Sequence, residues 1–405
     1  MPPKTSHRRC IVCGSRLRLL PVLYGLPALD AFEAEQRGEL VLGGCIPGGP
    51  SRVCAVCHEP PAPPRLPPMD PAEALNALTT RNAKSRLAAG IWGHLVGDAI
   101  GVPYEFSHHI ETVELRGHGS HNQPPGTWSD DGALMLALLD SLLSAGFDPT
   151  DQGRRALAWT DAGAYTPDGD GMFDIGGATN AALDRLRRGT PAFDAGGVGD
   201  RDQGNGSLMR ILPLALVDVP DDDAALVEQA HLASRVTHGH PNCQVACALY
   251  VLIARALRQR TTEAPEALLE DSVTRLRAVY AGRPQFASVL EGLLTHRSNL
   301  RKPGGGWVLD SFWSAWEAFA LGSSYRDTVE RAVRYGNDTD TTAAIAGALA
   351  GLRWGLDERE GGIPTRWLTA LRGADIVEGL LGRMLTIRGE PGGERTDSKA
   401  PVNDT

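Results

Sequence analysis

The sequence predicts an all-α body over residues 72–386, preceded by a small β-containing module that holds most of the cysteines. Three observations carry that expectation. Apolar residues recur at three-to-four spacing in segments joined by polar, glycine-bearing loops. Alternating β-branched segments are almost missing beyond residue 72. The composition also breaks at PPAPPRLPPMDP (60–71), where seven of twelve positions are proline. Neither a helix nor a central strand tolerates that density, so the run reads as a stiff linker.

In chain order, residues 1–59 contain Cys10, Cys13, Cys45, Cys54 and Cys57 with β-favouring pieces such as LLPVLYGLP and ELVLGGC. After the linker, AEALNALTTRNAKSRLAAGIWGHLVGDAIG (72–101) places Gly and Ala where helices can approach closely. DGALMLALLDSLLSAG is nearly all apolar and stops at Gly146. DDAALVEQAHLASRV, NCQVACALYVLIARAL and TAAIAGALAGLRWG continue the pattern. Cys243 and Cys247 lie one helical turn apart in an apolar segment and read as core residues. The end, 387–405, is polar with Gly and Pro and is expected to be disordered.

The chain has 405 residues, 42% of them apolar, which is ample for a large core. Its 40 basic and 49 acidic residues give a net charge of −9, which argues against a general nucleic-acid binder. No run of ~18 apolar residues is present, so no membrane span is expected. The start, MPPKTSHRRCIVCG, lacks the apolar stretch of a signal peptide, and the expected location is the cytoplasm.

A reducing cytoplasm disfavours disulfides, so the clustered cysteines point to metal. CIVC (10–13) and CAVC (54–57) are two Cys-x-x-Cys knuckles. The four thiolates of Cys10, Cys13, Cys54 and Cys57 suit one structural Zn²⁺, with a thiol-exchange pair as the alternative. Cys45 is a spare. Such a module is expected to dock onto the body, a protein or a nucleic acid.

Five loops in the body carry unusual chemistry. In TWSDDG, Ser129, Asp130 and Asp131 sit before the most apolar helix, and in GNDTDTT, Asp338, Asp340 and Thr341 precede another. Helix capping explains one or two of these acids. Two carboxylates beside an apolar helix are costly unless paired or cation-bound, and an all-oxygen set suits Mg²⁺ or Mn²⁺. GDAIGVPYEF contributes Glu105, read alternatively as a surface residue after a helix end. DRDQGNGSLMRILPLAL places Gly204, Asn205 and Gly206 in a tight turn, read as preceding a further apolar helix, whose free amides suit a diphosphate. THGHP puts Thr237 and His238 at one helix end and His240-Pro241 at the next start.

In this order, from about Arg86 to Leu381, the five pieces resemble the ADP-ribosylglycohydrolase family. The resemblance implies an all-α fold and a hydrolase that frees ADP-ribose from a modified acceptor, arginine-linked protein foremost. Two Mg²⁺ or Mn²⁺ would be held by Ser129, Asp130, Asp131, Asp338, Asp340 and Thr341. Glu105 would sit near the metals and the distal ribose, with Glu105, Asp130, Asp131 and Asp340 as the catalytic carboxylates. Gly204, Asn205, Gly206 and Ser207 would wrap the diphosphate, Asp202 would face the leaving guanidinium, and His238 would line the nucleotide cleft. Gly132 departs from the Thr usual in the family. The alternatives are a hydrolase of ADP-ribosylated nucleic acid or of a small ADP-ribosyl metabolite, and an inactive ADP-ribose binder.

Overall fold

The computed structural model describes residues 86–388 except 108, 168–171 and 301, together with three short strands nearer the start. Backbone contacts divide the chain into Met1–Ala74 and Leu75–Thr405. In the first unit, β1 (Leu19–Leu23) lies between β2 (Val41–Leu42) and β3 (Arg52–Cys54). β1 pairs parallel with β2, Val22 opposite Val41, and antiparallel with β3, Leu19 opposite Cys54. Cys10, Cys13, Cys45, Cys57, the 60–71 run and residues 389–405 lie outside the described residues.

The second unit is helical: α1 (Arg86–Gly101), α2 (Asp130–Ala145), α3 (Pro149–Ala162), α4 (Gly177–Arg187), α5 (Asp223–Arg235), α6 (Pro241–Gln259) and α7 (Pro265–Tyr280). Then follow α8 (Pro284–His296), α9 (Val308–Ala320), α10 (Tyr325–Arg334), α11 (Thr339–Trp354), α12 (Thr365–Leu368) and α13 (Ala374–Arg388). The starts follow local chemistry. Pro stands in the first turn of α3, α6, α7 and α8, where its missing N–H costs nothing. Asp148, Asp222, His240 and Ser324 accept a backbone N–H as N-caps.

The centre is the pair α1–α11. Gly97 and Gly101 lie a turn apart on α1 and leave no room for a side chain. A Cβ on Gly97 would stand 2.2 Å from the Ala343 carbonyl oxygen, and one on Gly101 would stand 2.4 Å from the Asp340 Cα. That contact brings the end of α1 against the start of α11, where the Thr339 hydroxyl donates to the Gly101 carbonyl at 2.8 Å. α6 runs through the same core, with Cys243 and Cys247 fully buried as the sequence pattern implies.

One expectation is corrected. No apolar helix follows Gly206. The chain makes a single turn closed by Met209 N–H to the Asn205 carbonyl, then a 3-10 turn over Leu212–Ala215. Pro213 lacks the N–H that would carry an α-helix through this segment.

Candidate active site: a carboxylate-lined cavity

The start of α2 is capped twice, which frees its acids. The Ser129 hydroxyl accepts the Asp131 N–H at 3.3 Å. From α1, the Asp98 carboxylate accepts the Ser129 N–H at 2.9 and 3.1 Å and the Gly132 N–H at 2.8 Å. Capping therefore leaves Asp130 and the second oxygen of Asp131 unexplained. Gly132 is fixed by packing: a Cβ there would stand 2.7 Å from both Leu95 and the Trp128 ring. This chain has no space for the Thr that its resemblance would place there.

At the start of α11, Asp338 occupies the N-cap position but its side chain caps nothing. Its carboxylate instead accepts the Asn205 amide at 2.8 Å. Asp340 Oδ1 accepts the Thr341 N–H at 2.9 Å, and the Thr341 hydroxyl donates to Asp131 Oδ2 at 3.1 Å. The two helix starts thus meet. Glu105, the predicted surface alternative, is buried at 7% exposure and bonded to His121 Nε2.

Burial dominates the electrostatics here. It pushes Asp98 and Glu105 up to about 7, and raises Asp130, Asp131 and Asp340 well above the usual carboxylate range, with neighbouring carboxylates adding to the rise in each case. Burial also raises Asp174. The Glu105 hydrogen bond raises His121. Asp131 Oδ1 and Asp340 Oδ2 are buried without a hydrogen-bond partner. Orphaned carboxylate oxygens this deep call for a positive charge, and a hard divalent cation meets that need. Among the described residues, two groups of side chains could hold a metal ion: Glu105 with His121 and Asp174, and Glu105 with Asp338 and Asp340. The donor set therefore fits Mg²⁺ or Mn²⁺.

These acids open onto a cavity of about 410 Å³ lined by Glu105, Asp130, Asp338 and Thr341 on one side and Gly204, Asn205, Gly206 and His238 on another. Ser129, Asp131 and Asp340 lie buried behind that lining. Gly206 must be glycine, since a Cβ would stand 2.8 Å from His238 and 2.9 Å from Thr179. Burial holds His238 down to about 3, so the ring is neutral, with Nδ1 bonded to the Thr237 hydroxyl at 2.9 Å. Two predicted substrate residues stand apart from the lining. The Asp202 carboxylate accepts the Gly199 N–H at 3.0 Å, and the Ser207 hydroxyl accepts from Ser234 at 2.9 Å.

The sequence reading assigned Asp98 no role and missed His121, Asp174, Thr179 and Arg201, the last three of which line the cavity or flank its acids. Asp174 had a usable signal, because FDIGGATN repeats the pattern of an acid just before a helix start. His121, in HGSHNQPP, had none.

Fold and site together define an all-α hydrolase whose carboxylates, drawn from several helix ends, can hold divalent cations. The chain belongs to the ADP-ribosylglycohydrolase family, whose model matches residues 79–393. It is 28% identical to ADP-ribosylarginine hydrolase Tri1 of Pseudomonas putida, over 75% of this chain and 78% of that protein. It is 25% identical to the ADP-ribosyl-[dinitrogen reductase] glycohydrolase of Rhodospirillum rubrum, over 73% and 92%. A solved structure described as an ADP-ribosylglycohydrolase-related protein complex superposes with a TM-score of 0.58 at 31% identity, covering 74% of this chain and 96% of that one. Among the described residues, no helix is long and apolar enough to cross a membrane.

Proposed function

We propose that this chain hydrolyses the bond between ADP-ribose and a protein arginine, using two Mg²⁺ or Mn²⁺ ions. The observation that carries the reading is the pair of orphaned, buried carboxylate oxygens on Asp131 and Asp340 at the base of the cavity. The arginine preference rests on relatives: two proteins named ADP-ribosylarginine hydrolase, from Pseudomonas putida and Serratia proteamaculans, align over about two thirds or more of this chain.

The proposed ligands are Ser129, Asp130, Asp131, Asp338, Asp340 and Thr341, and Glu105 and Asp174 join them as carboxylates facing the same space. The chemistry that bound divalent cations supply is Lewis-acid charge beside the distal-ribose hydroxyls. The protein holds its own donors in place: Thr341 fixes Asp131, Asn205 fixes Asp338, and His121 fixes Glu105. In hydrolysis, water oxygen bonds to the anomeric carbon as the carbon–nitrogen bond breaks, and the proton passes to the departing guanidine. The carboxylate ring offsets the positive charge that develops at that carbon. Acids this close share their protons, so acid and base work belongs to the ring. Gly204, Asn205, Gly206, Ser207 and His238 form the proposed nucleotide wall, and Asp202 stays a proposed contact for the leaving group.

The amino-terminal segment is proposed as a separate zinc module over residues 1–59 that supplies a second contact to a macromolecular substrate. The antiparallel pairing of Leu19 with Cys54 supports it, because it sets a strand that follows the first knuckle in sequence beside the first cysteine of the second. The deciding experiment presents the protein with arginine-linked ADP-ribosyl protein, ADP-ribosylated nucleic acid and a small ADP-ribosyl metabolite in one reaction, with Mg²⁺ or Mn²⁺. Preferential loss of the arginine-linked label is expected. Preferential loss of either of the others would move the acceptor assignment, and release of none would leave an ADP-ribose binder.

A further inference from the structure

Behind the nucleotide wall lies a cation without a counter-charge. Arg210 is only 6% exposed, and among the described residues no carboxylate forms an ion pair with it. Its guanidinium donates to backbone carbonyls alone, Ala233 at 2.8 Å and Gly206 at 3.4 Å. A buried charge satisfied only by dipoles is expensive, and several half-buried arginines elsewhere do have acids: Arg155 with Asp140 and Asp151, Arg255 with Asp223, Arg297 with Glu266 and Glu317.

The position gives this deeply buried cation a purpose. Gly206 and Met209, the residue before Arg210, both line the cavity. The guanidinium thus stands one backbone carbonyl behind the wall. A trans peptide is planar, so a Gly206 carbonyl turned toward Arg210 turns the Ser207 N–H the other way. The charge is felt across the wall: Arg210 disfavours the protonated form of His238, adding to the effect of burial. Burial itself lowers Arg210 only to about 10, so it is charged at neutral pH. Facing it across the same cavity are Glu105, Asp130, Asp174 and Asp338, the acidic side of the lining.

We infer that Arg210 is a positioning residue that biases the cavity electrostatically, drawing the diphosphate of the ligand to the Gly204–Gly206 wall and away from the carboxylate ring. The inference rests on the reading that this cavity takes ADP-ribose. Arg210 acts through the wall, without touching the phosphates, in a region where low polarisability and excluded water preserve the field of a fixed charge. Arg201, by contrast, lines the cavity but is exposed, where its charge is screened.

The test uses the full-length chain with saturating Mg²⁺ and measures ADP-ribose affinity for wild type, Arg210→Gln and Arg210→Lys at low and high ionic strength and from pH 6 to pH 9, below the value of about 10 at which Arg210 itself would titrate. Arg210→Gln is expected to weaken binding by about tenfold at low salt and to flatten the salt dependence. Arg210→Lys should bind like wild type at pH 6 and approach Arg210→Gln at high pH, as the buried lysine loses its proton while the arginine keeps its own. That pH divergence within one folded variant does not follow from a packing role, and it serves even if Arg210→Gln fails to fold. A folded Arg210→Gln with wild-type affinity and salt slope would overturn the inference, as would Arg210→Lys that is equally weak at every pH. Wild type that binds no ADP-ribose at all would instead remove the functional reading on which the inference rests.

Discussion

Asp131 Oδ2 and Thr341 Oγ1 lie 3.1 Å apart although 210 positions separate them in the chain. The contact joins the starts of α2 and α11, and it turns two separate acidic loops into one site. Each loop alone reads as a capped helix. Together they leave a buried oxygen on Asp131 and another on Asp340 with nothing to bond.

Replacing those acids separates capping from cation binding. Asn caps a helix about as well as Asp. Asp131→Asn and Asp340→Asn should therefore keep the helical fold yet lose roughly 100-fold or more of ADP-ribosyl hydrolysis. Near-normal turnover by both variants at limiting Mg²⁺ would return these residues to a purely structural role.

The same oxygens predict that divalent cations stabilise the fold. Protein stripped with EDTA at neutral pH should gain melting temperature on adding Mn²⁺ or Mg²⁺. The gain follows mass action, about 2.7 kcal/mol when the free cation is ~100 times its dissociation constant. Ca²⁺-, Mg²⁺- and Mn²⁺-independent melting would show that no such site exists.

Close helix packing sets the site's geometry, and alanine scanning of glycines should reveal it. Gly97→Ala, whose Cβ would press on the Ala343 carbonyl, should cost roughly 1–3 kcal/mol of stability. Gly101→Ala displaces Asp340 as well and should lower divalent-cation affinity beyond its effect on stability. Gly292→Ala on α8, with open space around it, is the control and should stabilise by about 0.5–1 kcal/mol. Chemical denaturation of the three variants orders them.

Part of the acid sensitivity should arise outside the cavity lining, at His231, beside the contributions of His94 and His238, which burial also holds down. His231 Nε2 pairs with the Tyr280 hydroxyl at 2.7 Å, its ring stacks on Phe286, and burial pulls its pKa down to about 4. The sign follows. Above the unfolded value of 6.5, both states are neutral and the stabilisation is complete. As pH falls from 6.5 toward 4, the unfolded chain gains a proton that the folded one refuses, and up to about 3 kcal/mol is lost. His231→Gln keeps a partner for Tyr280 without titrating, so its urea midpoint should drop less between pH 7.5 and pH 4.5. An equal drop in both proteins would place the acid sensitivity elsewhere.

The proposed zinc module predicts a second, independent metal. Protein prepared without chelator should carry about one zinc, lost on changing Cys10, Cys13, Cys54 or Cys57 to Ser. A chain beginning at Asp70 should still cleave a small ADP-ribosylated substrate but act poorly on the macromolecular one. Elemental analysis without zinc would refute the first half, and a folded fragment inactive on the small substrate the second.

The sequence by itself determined five of the body's helices, α1, α2, α5, α6 and α11, because their apolar periodicity and the Gly146 stop are local signals, whereas the remaining helices were not read from it. It also pointed to Ser129, Asp130, Asp131, Asp338, Asp340 and Thr341, since acids beside an apolar helix conflict with burial wherever they fall. It misjudged the segment after Gly206, where apolar residues suggested a helix and Pro213 forbade one. Tertiary structure alone decided what those acids meet. Asp98 sits in the last turn of a buried helix, and only the approach of α1 to α2 makes its carboxylate the second cap that frees Asp130 and Asp131. Asp174 comes from a loop and His121 from a short 3-10 turn, both without periodicity, so no spacing rule could bring them to Glu105. Gly97 and Gly101 are two of many glycines in the chain, and only the contact of α1 with α11 shows that the missing side chains place Asp340. Local pattern fixes which face of a helix is apolar, whereas the identity of the neighbour on that face is set by packing between residues hundreds of positions apart.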